Sequence, residues 1–166
     1  MRLRIRVPQV LVGVAVLAFG AVAAALVAQY QFDMQPCVWC VLQRLIYLVV
    51  GVLALVGAFF DNRVRRGAIG LALLVALCGV ASALWQQFVA AKSQSCDLTL
   101  AERIVTGLHL DRLAPDLFIA YASCADAAVN LIGVPFAIWS CALFALLSAA
   151  LYQALRTSGR AGRMRA

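Results

Sequence analysis

Residues 67–91 read GAIGLALLVALCGVASALWQQFVAA, 25 positions without a charged side chain. At about 1.5 Å of rise per residue, a helix of this length exceeds the roughly 30 Å hydrocarbon core of a bilayer. The stretch therefore predicts a membrane-spanning helix. Immediately before it, DNRVRR (61–66) is too short for a domain and reads as a tight turn. Ahead of that turn lies a second uncharged run, 45–60, and further runs occupy 7–28 and 127–155. The 45–60 run reaches spanning length if its helix starts near Cys40 and carries Arg44 close to its outer end. Composition agrees: 65% of residues are hydrophobic and 13% charged, against about a quarter charged in soluble domains. Mean hydropathy is +0.95. The expected fold is an all-α membrane protein, a four-transmembrane-helix bundle forming one integral membrane domain over 1–166. Its helices are expected near 8–29, 41–60, 67–90 and 134–155.

The first run has a rival reading, because MRLRIR followed by an apolar, Ala-rich stretch resembles a secretory signal peptide. Signal cores are usually about 7–15 residues, and this one is longer. Orientation follows from the basic residues. Arg2, Arg4 and Arg6 precede the first run, Arg63, Arg65 and Arg66 lie in the 61–66 turn, and Arg156, Arg160, Arg163 and Arg165 follow the last run. In a four-helix topology these ten share one face with a single acid, Asp61, while the other face carries four basic and six acidic residues. The positive-inside rule places the basic face, with both termini, in the cytoplasm. The net charge of +7 is then a topology signal, and the arginines, as short flanks of apolar helices, do not indicate a nucleic-acid partner.

This orientation leaves a short outer loop near 30–40 and a long one near 91–133. In the long loop TLAE (99–102) has the form of a capping box, in which Thr99 and Glu102 satisfy each other's backbone donors. Leu100, Ile104, Val105 and Leu108 follow at helical spacing, so a short amphipathic surface helix is expected. The C-terminal RTSGRAGRMRA reads as a basic tail.

Six cysteines divide by position. Cys78 and Cys141 fall within helices and read as small packing residues. Cys37, Cys40, Cys96 and Cys124 lie on the non-cytoplasmic side, which in a bacterium is oxidising. Structural zinc favours two close-spaced pairs; Cys96 and Cys124 are 28 positions apart, and no metal site is expected. A bridge between Cys96 and Cys124 would usefully close a long loop, whereas one between Cys37 and Cys40 constrains almost no chain, so its value is chemical. Pro36 suits a helix's first turn and predicts a helix start near Cys37, where the dipole and free amides favour thiolate. Arg44, seven residues after Cys37 and four after Cys40, shares their helical face. It can stabilise negative charge there or on an acceptor resting against that face, or snorkel to the headgroups.

PCVWCVLQR (36–44) resembles the signature of the disulfide-bond formation protein B (DsbB) family. SCDL around Cys96, LAPDLFIAYASCADA leading through Cys124, and Trp139 entering the last helix are similar to it as well. Trp39 stands where that family more often has leucine, a change that bears on the shape of the quinone pocket. The segment before Trp139 lacks the family's usual earlier tryptophan and places its proline differently. The resemblance implies an enzyme of the bacterial inner membrane, a protein-dithiol:quinone oxidoreductase. It would reoxidise a periplasmic thioredoxin-like thiol oxidase of the DsbA type and pass electrons to ubiquinone or menaquinone. It further implies that Cys96 forms a mixed disulfide with the partner and that Cys124 exchanges with Cys37. Cys40 would meet the quinone, with Arg44 polarising it. The alternatives are a non-enzymatic, disulfide-stapled membrane adaptor and a vitamin K epoxide reductase-like protein, whose active Cys-x-x-Cys lies near a late helix.

Overall fold

The computed structural model describes residues 7–60, 62–92, 100–125, 130–131 and 133–163. Four long helices dominate it: α1 (Val7–Phe32), α2 (Val38–Phe59), α3 (Asn62–Phe88) and α7 (Phe136–Arg163). Each contains a segment long and apolar enough to cross a membrane. Between α3 and α7 lie a 3-10 turn (Ala90–Lys92), three short helices, α4 (Leu100–Gly107), α5 (Leu110–Leu113) and α6 (Pro115–Phe118), and the ladder of β1 (Asn130–Leu131) with β2 (Val134–Pro135). The protein is a multi-pass, four-helix membrane bundle.

Helix α3 packs on both α2 and α7, and α1 packs mainly on α2. The α1–α7 contact is smaller, and a cavity opens there. Leu11, Val50, Ile69, Phe144, Leu147 and Leu151 fill the centre. Phe144 stacks on Tyr47 with centroids 3.9 Å apart. It lies directly over Gly79, where an added Cβ would meet the ring at 2.6 Å, so α3 and α7 owe their close approach to the missing side chain. Small residues at membrane helix interfaces commonly serve this purpose.

The helix ends depart from the apolar runs for identifiable reasons. Helix α3 begins at Asn62, so Arg63, Arg65 and Arg66 are helical; charge excludes a residue from the hydrocarbon, not from a helix. Arg65 donates back to the carbonyls of Gly57 (2.9 Å) and Phe60 (3.0 Å), covering the C-terminal end of α2. Helix α7 continues to Arg163 through much of the segment read as a tail. In that extension the Arg156 guanidinium lies 4.5 Å from the centre of the Tyr152 ring. At the other end of the bundle, α1 stops with Asp33 at φ 52°, and the Met34 amide donates to the Ala28 carbonyl at 3.2 Å. The bond folds the chain back over the last turn of α1 and gives one of its end carbonyls a donor.

Cys78 corrects the sequence reading, because it is exposed, and Cys141 is only half-buried. A membrane bundle presents apolar side chains outward as well as inward, as Leu71, Leu74 and Leu77 do here. Apolar character therefore does not mark burial. The Thr99 half of the capping box lies outside the described residues. Glu102 does stand in the first turn of α4. That helix turns Ala101 and Val105 onto the start of α2 and leaves Leu100 exposed, as is Leu108 just past its end.

Candidate redox site

Cys37 is the N-cap of α2, with extended backbone (φ −86°, ψ 169°), and its carbonyl accepts the Val41 amide at 3.0 Å. Pro36 thus lies just outside the helix, not in its first turn as expected. Its free carbonyl accepts the amides of Tyr121 (3.0 Å) and Ala122 (3.3 Å). Those two bonds dock the long loop on the short one and bring Cys124 against Cys37. Two further ties hold the same segment. The Arg44 Nη1 donates to the Leu117 carbonyl at 3.2 Å, and the Tyr30 hydroxyl faces the Asp116 carboxylate.

Three thiols therefore meet at the start of α2. The sulfurs of Cys37 and Cys40 are 3.1 Å apart, as expected for side chains one turn apart. Cys124, from the long loop, packs against this pair, with the Cys37 thiol and the Trp39 backbone amide directed at its sulfur. Cys96 lies outside the described residues. The Cys37 thiol, donating to Cys124 and then to Cys40 and fully buried besides, is held well above the ordinary thiol range. Cys124 is held below it, chiefly by the Cys37 donor, with the Trp39 amide adding to the effect against burial and the Cys40 charge. A depressed value means that the Cys124 thiolate, the attacking form in exchange, persists to lower pH than in a free cysteine. In reduced protein, the pH midpoint for alkylation of Cys124 should fall below about 8.5, the usual cysteine value. Replacing Cys37 by alanine should move that midpoint up. Site-resolved mass spectrometry reads both, and an unmoved midpoint would remove Cys37 as the cause.

Beside the thiols, a cavity of about 190 Å³ opens between α1, α2 and α7. Cys40, Arg44, Gln43 and Ser140 are among its polar lining residues, and Ala24 and Leu143 among its apolar ones. Arg44 is 5% exposed, so it does not reach out of the bundle as a snorkelling side chain would. Trp39 does not line the cavity. It packs with Leu42 and Ala101 and tilts against Trp85 at 6.5 Å, so its bulk is taken up in packing against α3 and α4.

Sequence reasoning missed a set of buried uncharged polar groups. Gln86 of α3 donates to Cys40 at 3.1 Å and to Cys37 at 3.5 Å. Gln43 donates to Gln86 at 2.6 Å, and Ser140 donates to Gln43 at 2.6 Å. Tyr47 closes the series, 3.0 Å from the Ser140 hydroxyl. The available signal was a glutamine at the end of each of two apolar helices, on the side where the cysteines lie. Nothing in the linear order pairs them.

Residues 8–154 match the family model described as disulfide bond formation protein DsbB. Similar curated proteins carry the same description. The disulfide bond formation protein B of Pseudomonas syringae pv. tomato is 31% identical over 140 residues, covering 82% of each chain. That of Ralstonia nicotianae is 30% identical over 143 residues, 86% of this chain and 89% of the relative. Disulfide bond formation protein B 1 of Pseudomonas savastanoi pv. phaseolicola is 34% identical over 143 residues, 82% of this chain and 81% of the relative. With three thiols converging at one end of a four-helix membrane bundle and a family match across nearly its whole length, the chain belongs to the DsbB family of disulfide bond formation proteins.

Proposed function

We propose that the protein makes disulfides in a soluble thioredoxin-like partner of the DsbA type and passes the electrons to a membrane quinone, ubiquinone or menaquinone. It would do so in the bacterial inner membrane with its thiol end facing the periplasm. The observation that carries this reading is the meeting of Cys124, from the long loop, with the Cys37–Cys40 pair beside a lined cavity.

In this scheme the partner's thiolate attacks Cys96 of a Cys96–Cys124 bridge and expels the Cys124 thiolate. The partner's second thiol then releases the partner as a disulfide and leaves Cys96 reduced. The Cys124 thiolate attacks Cys37 of the Cys37–Cys40 bridge and expels the Cys40 thiolate. Cys96 next attacks Cys124, restoring the long-loop bridge and leaving Cys37 and Cys40 reduced. Each exchange breaks one S–S bond and forms another, so two electrons per partner arrive at Cys37 and Cys40. The depressed thiol at Cys124 and the elevated one at Cys37 suit an attacker and a site that is attacked.

The cavity suits a quinone. Its apolar wall accepts a lipid-soluble ring, and Arg44 and the second N–H of Gln43 offer donors to ring carbonyls. A bound quinone supplies the acceptor for two electrons and two protons. Arg44 would hold a carbonyl oxygen and place positive charge where negative charge develops. One guanidinium donor serves Leu117, and others remain.

Purified protein given reduced thioredoxin-like dithiol and a ubiquinone analogue should turn over both; no quinone reduction would end the assignment. Replacing Arg44 by alanine removes a charged hydrogen-bond donor worth about 1.5–3 kcal/mol, roughly 10- to 100-fold. The KM for quinone should rise by that factor, while single-turnover oxidation of the partner without quinone changes by less than about threefold. Equal loss in both would show that Arg44 serves only to hold the loop through Leu117.

A further inference from the structure

Gln86 lies on α3, 46 positions from Cys40, and is buried at 6% exposure. A buried amide group must find partners for its oxygen and its NH2. The Gln86 oxygen accepts the Gln43 amide, while its NH2 donates to Cys40 and Cys37. Gln43 in turn has its oxygen occupied by the Ser140 hydroxyl, which leaves its NH2 for Gln86. Tyr47 donates to the Ser140 backbone carbonyl at 3.1 Å and contacts its hydroxyl. Every amide in this series presents nitrogen toward the sulfurs and oxygen away from them. Three helices, α2, α3 and α7, contribute to it.

We propose that Gln86 is a catalytic residue that stabilises the reduced Cys37–Cys40 pair by donating N–H to its sulfurs, with Gln43 and Ser140 as positioning residues that fix the direction of its amide. A thiolate accepts such a bond far better than a disulfide sulfur, because the charge-assisted bond is roughly twice as strong as a neutral one. The bond therefore favours the reduced state and makes the couple more oxidising toward Cys124. The inference rests on the redox reading of Cys37 and Cys40, but not on a quinone or a partner.

The test is the equilibrium of the full-length protein in detergent with glutathione buffers, read by differential alkylation and mass spectrometry of Cys37 and Cys40. In that reaction two glutathione thiols become one disulfide. The Cys37–Cys40 S–S bond breaks and takes up two electrons and one proton, leaving one thiol and one thiolate, and the second glutathione proton passes to the buffer. Gln86→Leu should lower the equilibrium constant for reduction about tenfold, the effect of one charged hydrogen bond, or about 30 mV toward more reducing values. Gln86→Glu, which keeps the shape and lacks the donor when ionised, should shift the same way and guards against misfolding of the leucine variant. Ser140→Ala should give a smaller shift alone and none added to Gln86→Leu, because it acts only through Gln86. An unmoved or more oxidising couple in both Gln86 variants overturns the proposal. Additive shifts in the double variant overturn the positioning roles. If the wild-type pair forms no disulfide at all, the redox reading itself fails, an outcome distinct from an insensitive couple.

Discussion

Serine in place of Cys40 is expected to stop quinone reduction, leaving only the rate seen without protein. The Cys37–Cys40 bridge is the scheme's only exit for electrons, and a serine hydroxyl can neither form it nor serve as its thiolate. The fold should survive, because serine is close in size to cysteine and its oxygen can still accept the Gln86 amide that now reaches Cys40. The variant should oxidise one equivalent of partner through its long-loop bridge and then halt, with Cys96, Cys124 and Cys37 all left as thiols. Stopped-flow absorbance of the quinone and a count of oxidised partner measure the two halves separately. Unchanged turnover would sink the assignment of Cys40 as the electron exit and, with it, the quinone mechanism.

Cys124→Ser should abolish multiple turnover as completely, by a break on the other side of the relay. Cys37 and Cys40 remain intact, so the reduced variant should still reduce about one quinone per protein as that pair closes. Nothing then returns electrons to it. Cys96 is left as a lone thiol. Offered a partner whose single active-site cysteine is activated as an aryl disulfide, Cys96 should expel the aryl thiol and form a lasting mixed disulfide, since no neighbouring cysteine resolves it. Peptide mapping of the trapped complex locates the bond. A failure to trap through Cys96, together with two bridges that never exchange, would instead describe a stapled adaptor. The two variants thus predict opposite patterns: a lone partner oxidation without quinone reduction for Cys40→Ser, and a lone quinone reduction without partner release for Cys124→Ser.

Four helices were legible in the linear chain because a bilayer imposes a length, and four runs from 7–28 to 127–155 meet it or come within a few residues. Helix α2 starts at Val38, one residue from the start near Cys37 that Pro36 suggests and three from the start near 41 expected for the apolar helix. Local rules of this kind fixed which thiols could touch within one turn. The outward exposure of Cys78 was not legible, because lipid and protein interior reward the same side chains.

Only the tertiary structure decided what lies beside those thiols. Cys124 is 87 positions from Cys37 in the chain, and two amides on the Pro36 carbonyl bring them together. Arg44 was recognisable as a charge one turn below Cys40, but its bond to Leu117 depends on where the long loop settles. Gln86, Gln43 and Ser140 read as scattered polar residues in apolar helices until α2, α3 and α7 pack and each buried group must take a partner from a neighbouring helix. The sequence by itself determined the membrane, the helices and the close-spaced Cys37–Cys40 pair, because hydropathy and helical period act over one to a few turns. Packing determined the third thiol, the cavity and the donors, because burial forces hydrogen bonds between groups that the chain order keeps apart.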